Sequence, residues 1–217
     1  MRKTVAAVTG ILVLTAWAVS AQERMKESPH TKSGHAPMAQ GGGAKADAAT
    51  IAKAVSAAPP EIGNHATVMG AGPDGQMKQL RAGTNGWVCM IDPLGSPMCL
   101  DKEWQAWGEA WMTKKEPPQP KVVGVAYMLR GDHGASNTDP YATKPTPDNA
   151  WVVSGPHIMI LPTDRSQFDA LPTDPHTGGP WVMWKDTPYG HIMVPTAAMP
   201  KKAATAAPRA PKASKNR

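Results

Sequence analysis

The sequence predicts an α+β domain: a mainly antiparallel sheet with one principal helix packed on it. Three observations carry this expectation. Short β-rich runs recur between residues 66 and 194, separated by dense turn signals. A single segment, residues 101–115, has helical period and helical end signals. The stretch from Thr50 to Thr196 is long enough for one hydrophobic core and lies between two segments too polar to build one.

The elements follow in chain order. TIAKAVSAA, residues 50–58, reads as a short helix stopped by Pro59 and Pro60. ATVMG (66–70) and QMKQLRA (76–82) flank Pro73-Asp74-Gly75 and read as a hairpin. GWVCMI (86–91) is a further strand. In DKEWQAWGEAWMTKK, Asp101 caps the N-terminus, Glu103 suits the first turn, and Lys114 and Lys115 suit the last. Trp104, Trp107 and Trp111 share one face of that helix, which assigns the stripe to the core. KVVGVAYMLR (121–130) is a central strand. WVVS (151–154), HIMIL (157–161), WVMW (181–184) and HIMV (191–194) complete the sheet. If WVMW is a strand, Trp181 and Trp184 face opposite ways.

The two ends carry a different composition. Arg2 and Lys3, the apolar run Val5–Val19 and the small residues Val19-Ser20-Ala21 read as a signal peptide, residues 1–21. The apolar run is short for a membrane span, so the mature chain is expected to start at Gln22 without a transmembrane segment, in the periplasm or outside the cell. No cysteine follows the cleavage point to take a lipid. Residues 22–49 are expected to be a disordered linker and residues 197–217 a disordered basic tail, because neither can bury enough apolar surface to order itself.

Charge follows the same division. The isoelectric point is near 9.4, yet residues 61–200 hold ten basic against fourteen acidic side chains. Lys201, Lys202, Arg209, Lys212, Lys215 and Arg217 have no acidic neighbour in the tail. A folded part with this balance is not a nucleic-acid binder, and the tail is suited at most to weak contact with anionic surfaces.

Cys89 and Cys99 are the only cysteines and flank a segment that Asp92-Pro93 and Gly95-Ser96-Pro97 fold back on itself. In an exported chain this spacing predicts a structural disulfide; the CxxC spacing of a redox pair is absent. The stretches NGWVCM, PMCLDK, YMLRG with ASNTDPYATKP, and GPHIM with the later HIMVP resemble a group of small secreted bacterial proteins with no assigned activity. The resemblance spans most of residues 50–196 and implies export and a single domain. It implies neither a cofactor nor a catalytic residue.

Three places could carry function. GPHIMI is echoed 34 residues later by YGHIMV. In strands, His157 points with Met159 and His191 with Met193. Neighbouring strands could then bring two imidazoles and two thioethers onto one soft ion such as copper(I); Met is equally a core filler. Next, the long connection 131–149 offers Asp132, His133, Asn137, Asp139 and Tyr141 as a ligand-binding loop, or as residues that satisfy their own turns. Last, eight tryptophans against one phenylalanine leave room for an exposed indole that stacks on a ligand. No triad, HExxH or phosphate loop occurs. The reading is therefore a non-enzymatic exported binding protein for a soft metal or small ligand. The alternative is a small exported hydrolase that uses His133, His157 or His191 with a loop aspartate.

Overall fold

The structure, a computed structural model, describes residues 41–72 and 74–198. The expected signal peptide, most of the expected linker and the basic tail lie outside the described residues. Eight strands form one sheet: β1 (Thr67–Ala71), β2 (Met77–Arg81), β3 (Val88–Ile91), β4 (Pro97–Leu100), β5 (Gly124–Met128), β8 (His157–Leu161), β9 (Trp181–Met183) and β10 (His191–Pro195). A separate two-stranded ribbon pairs β6 (Ala135–Ser136) with β7 (Trp151–Val152). The large sheet runs β2-β1-β3-β4-β5-β8-β10-β9. Every pairing in it is antiparallel except β1 with β3.

Turn chemistry accounts for the hairpins. Asp74 Oδ1 accepts from the Gln76 N–H at 3.0 Å, and Gly75 takes φ 76°, which closes β1 onto β2. Asp92 Oδ1 accepts from the Ser96 N–H at 2.7 Å and closes β3 onto β4. That hairpin sets Cys89 directly opposite Cys99, and the two form a disulfide buried in the core.

Three helices pack on the sheet: α1 (Gly41–Val55), α2 (Pro60–Gly63) and α3 (Lys102–Met112). Asp101 caps α3 by accepting from the Trp104 N–H at 2.9 Å, and its other oxygen accepts from Val125 N–H of β5, which ties the helix to the sheet. Alternation along β4 separates the two faces. Cys99 turns toward α1 with Ala54, Ala57, Val68 and Cys89, while Leu100 turns toward α3 with Trp104, Ala126 and Met159. Beyond α1, a stretch of 3-10 turns covers β8, β10 and β9, with Phe168 against Val182 and Ile192.

The structure departs from the sequence expectation in four places. Residues 41–49, expected as linker, form the first turns of α1, so two long helices flank the sheet instead of one. The run AKADAATIAKAV consists largely of helix formers, and burial of Ala54 and Ala57 against the sheet anchors it. PMCL is a strand that the turn-rich sequence around it conceals. WVVS contributes only Trp151 and Val152 to the side ribbon, outside the main sheet. WVMW stops at Met183, and Trp184 turns out of the strand at φ 56°. Among the described residues, no helix is long and apolar enough to cross a membrane.

The disulfide closes a ring over a sequence separation of 10. Chain-entropy arithmetic gives it about 3 kcal/mol. Urea unfolding of a Cys89→Ala/Cys99→Ala variant should show a loss of about that size, and thiol titration of the unfolded, unreduced protein should find no free thiol. Two reactive thiols per chain would overturn the assignment.

Candidate functional site

The repeated HIM segments meet in the sheet. β8 and β10 pair so that Met159 lies directly opposite Met193, with His157 opposite Pro195. This register relates the two segments by a local two-fold axis through the Met159–Met193 rung: His157 stands two residues to one side of it and His191 two residues to the other. The outer strands continue the symmetry. β5 sets Met128 beside His157, and β9 sets Met183 beside His191. The face beneath α3 therefore carries two imidazoles and four thioethers, all buried.

The single ion expected from the sequence does not fit this spacing. The histidine Cα positions lie four residues apart along the strands, about 13 Å, with the methionine rung between them. Two nitrogens on one ion would need to lie within about 4 Å of each other. The structure instead brings each imidazole together with its cross-strand thioether and with the methionine two residues further along its own strand. Met128 and Met183 were not singled out in the sequence. Both sit in runs with strand alternation, but only the strand order reveals which histidine each one meets. Among the described residues, no three or more His, Cys, Asp or Glu side chains gather to hold a metal, so any ion bound here depends on sulfur.

Both histidines are held in the same way. The His157 Nδ1–H donates to the Gly155 carbonyl at 2.7 Å, and the His191 Nδ1–H donates to the Tyr189 carbonyl at 3.0 Å. Each partner lies two residues back in the chain. A carbonyl only accepts, so the proton sits on Nδ1 and the lone pair on Nε2. The His157 Nε2 is buried and has no hydrogen-bond partner. Burial pushes the His191 imidazole down to about 4, partly offset by its bond to Tyr189. Burial also lowers His157, against the opposing effects of the Gly155 carbonyl and the nearby Asp132 carboxylate. Both rings are accordingly neutral at ordinary pH, the state a metal ligand requires.

Indoles roof this face. His191 meets Trp184 at 5.1 Å, Trp104 at 5.2 Å and Trp107 at 5.7 Å between ring centroids, each nearly edge to face. Trp184 reaches its position from a left-handed backbone, which is costly for a bulky residue. Two hydrogen bonds hold it there: Nε1–H to Ser136 O at 2.6 Å and N–H to Asn137 O at 3.1 Å. The Nε1–H groups of Trp104, Trp107 and Trp181 are buried without an acceptor. Of the helix stripe, Trp104 and Trp107 thus pack in the core with unpaired Nε1–H groups, whereas Trp111 lies outside it and donates to Pro140 O at 3.1 Å.

The loop candidates do not converge. Asp132 Oδ1 accepts from Gly134 N–H at 2.9 Å and Ser154 N–H at 2.8 Å, and burial pushes its carboxyl up. Gly134 takes φ 107° and lies flat on the Trp151 indole, where a Cβ would collide with the ring. His133 is exposed and reaches Ser96 Oγ at 3.2 Å. Asn137 donates to Thr173 O, and Asp139 caps the turn at Tyr141. Tyr141 leaves the loop altogether and stacks on Trp111. Desolvation and its bond to Tyr189 push its phenol up to about 12. Asp132 and Asp139 therefore close turns of the loop itself, while His133 and Asn137 tie it to the β3–β4 hairpin and to Thr173. Ser154, whose Oγ is buried without a partner, donates its backbone N–H to Asp132, and both Ser154 and His157 are fully buried.

Comparison with protein families, with curated proteins and with solved structures finds no match for the chain.

The buried histidines set a pH dependence. An unfolded histidine titrates near 6.5 and the folded His191 near 4. As pH falls through 6.5 the unfolded chain takes up protons that the folded chain refuses, so stability is lost from there down toward pH 4. The His191 share is about 3 kcal/mol by the lower limit, and His157 acts with the same sign. Urea unfolding at a series of pH values should show this decline, and His191→Asn, which keeps a donor for Tyr189 O, should flatten it. A wild-type profile that is level across this range would contradict the assignment.

Proposed function

We propose that this chain is an exported, non-enzymatic binding protein for a soft monovalent ion, copper(I), held on the methionine–histidine face. The single observation that carries the reading is the two-fold repeat of one local arrangement: an imidazole fixed as the Nδ1–H tautomer beside a cross-strand thioether. Core packing alone gives no reason for both histidines to make the same bond to the carbonyl two residues back while each adjoins a methionine. Imidazole with thioether is a soft donor set, and copper(I) accepts low coordination numbers of this kind. Each half would use one Nε2 lone pair with Met128 and Met159, or with Met183 and Met193. The surrounding indoles would add attraction between a cation and their π faces.

Entry is consistent with the same picture. A shallow recess lined by Trp107, Glu116, Leu161, Arg165, Phe168 and Gly190 approaches the His191 end from outside. Glu116 brings a carboxylate and Arg165 a guanidinium to its lining. Export belongs to this proposal as well: it rests on the N-terminal sequence and agrees with the disulfide.

Copper(I) should raise the melting temperature of the full chain at neutral pH, because the proposed site exists only in the folded state. Met128→Leu/Met183→Leu conserves volume and removes one thioether from each half, so it should abolish most of that rise. His30, His35 and Met38 can take up copper outside the domain, which makes the thermal shift, and not total uptake, the readout. Because the folded His191 titrates near 4, protection should persist below the pH at which free imidazole protonates. A melting temperature indifferent to copper(I) would leave the HIM repeat as core packing.

A further inference from the structure

Aromatic rings run in contact from the buried methionine–histidine face to the surface. His191 meets Trp107 at 5.7 Å, Trp107 meets Tyr189 at 5.8 Å, and Tyr189 meets Tyr141 at 5.7 Å between centroids. Tyr189 is buried, whereas Tyr141 is 38% exposed and stacks on Trp111 at 5.8 Å with the planes 11° apart. The two phenols are also joined through oxygen: Tyr141 O–H donates to Tyr189 Oη at 2.7 Å, and Tyr189 O–H donates to Lys115 O at 2.9 Å. A purely structural aromatic core has no need to end in a hydrogen-bonded pair of phenols, one inside and one at the surface.

We propose that Trp107, Tyr189 and Tyr141 form a path for one-electron oxidation, which carries an oxidising equivalent from the buried thioether face to the surface. The incoming reactant is a one-electron oxidant such as a peroxide-derived radical. It removes an electron from the Trp107 indole and leaves a radical cation. The indole recovers that electron from the tyrosine pair. Tyr141 ends as the neutral tyrosyl radical and releases its phenolic proton to water, since Tyr189 already donates its own proton to Lys115 O. The indole is restored, and the thioethers of Met159 and Met193 remain unoxidised. Tyr189 is the relay, because it touches both Trp107 and Tyr141. The path does not depend on a bound metal.

Pulse radiolysis of the full chain with azidyl radicals, which oxidise indoles, tests the path directly. Indolyl absorption should decay as tyrosyl absorption grows, with a first-order rate independent of protein concentration. The chain has three tyrosines, and Tyr127 meets Trp87 at 5.4 Å as a separate pair. Tyr141→Phe should therefore lower the tyrosyl yield by more than half, Tyr189→Phe should slow its growth, and Tyr127→Phe should leave most of it intact. Tyrosyl growth that scales with protein concentration would overturn the proposal. So would a full yield in Tyr141→Phe together with its loss in Tyr127→Phe.

Discussion

The pairing of β8 with β10 in the register that sets Met159 against Met193 governs the rest of this structure. A slip of β10 by one residue would turn His191 and Met193 to the other face and bring Ile192 and Val194 under α3, and a slip of β8 would exchange His157 and Met159 for Ile158 and Ile160. Both faces of this part of the sheet are covered, so hydrophobicity alone discriminates weakly between the two registers. The histidines break the tie. Each enters its strand with Nδ1–H bonded to the carbonyl two residues back, which orients the ring locally. On the opposite face Ile160 and Ile192 meet Phe168.

The same constraint explains why the core tolerates so much polar capacity. Buried polar groups without partners are uncommon because each loses its hydration for nothing. Here the His157 Nε2 and three indole N–H groups are left over in one region, around four thioethers. The strained Trp184 backbone adds to the cost and is held by bonds from the side ribbon. Strained backbone and unpaired buried groups of this kind often mark functional places. The Cys89–Cys99 link and α1 steady the far half of the sheet.

Much of the fold was legible in the sequence because it rests on local signals. Asp101 announced α3, Pro73-Asp74-Gly75 announced the first hairpin, and alternation announced β5 and β8. What stayed hidden depends on contacts distant in sequence. α1 begins in a glycine run that reads as linker, and its contacts with β1 and β3, with Ala54 buried, anchor it. β1 lies parallel to β3, a choice that no turn between them dictates. At the site, the repeat identified His157, Met159, His191 and Met193. Their distribution into two halves follows from antiparallel register, and the partners Met128 and Met183 follow from strand order, neither of which a single sequence encodes in readable form. The loop residues 131–149 looked like a ligand site because the side chains that close turns are also the ones that bind ligands.

The central claim is that both imidazoles are neutral, with the proton on Nδ1 and a lone pair on Nε2. Nitrogen NMR of protein labelled in its histidine side chains reads this directly. At neutral pH, His157 and His191 should each show a protonated Nδ1 and an unprotonated Nε2. Both Nε2 signals should move when silver(I), a copper(I) surrogate stable in air, is added. A protonated Nε2 on either ring, or Nε2 signals that ignore the ion while the protein remains folded, would contradict the account.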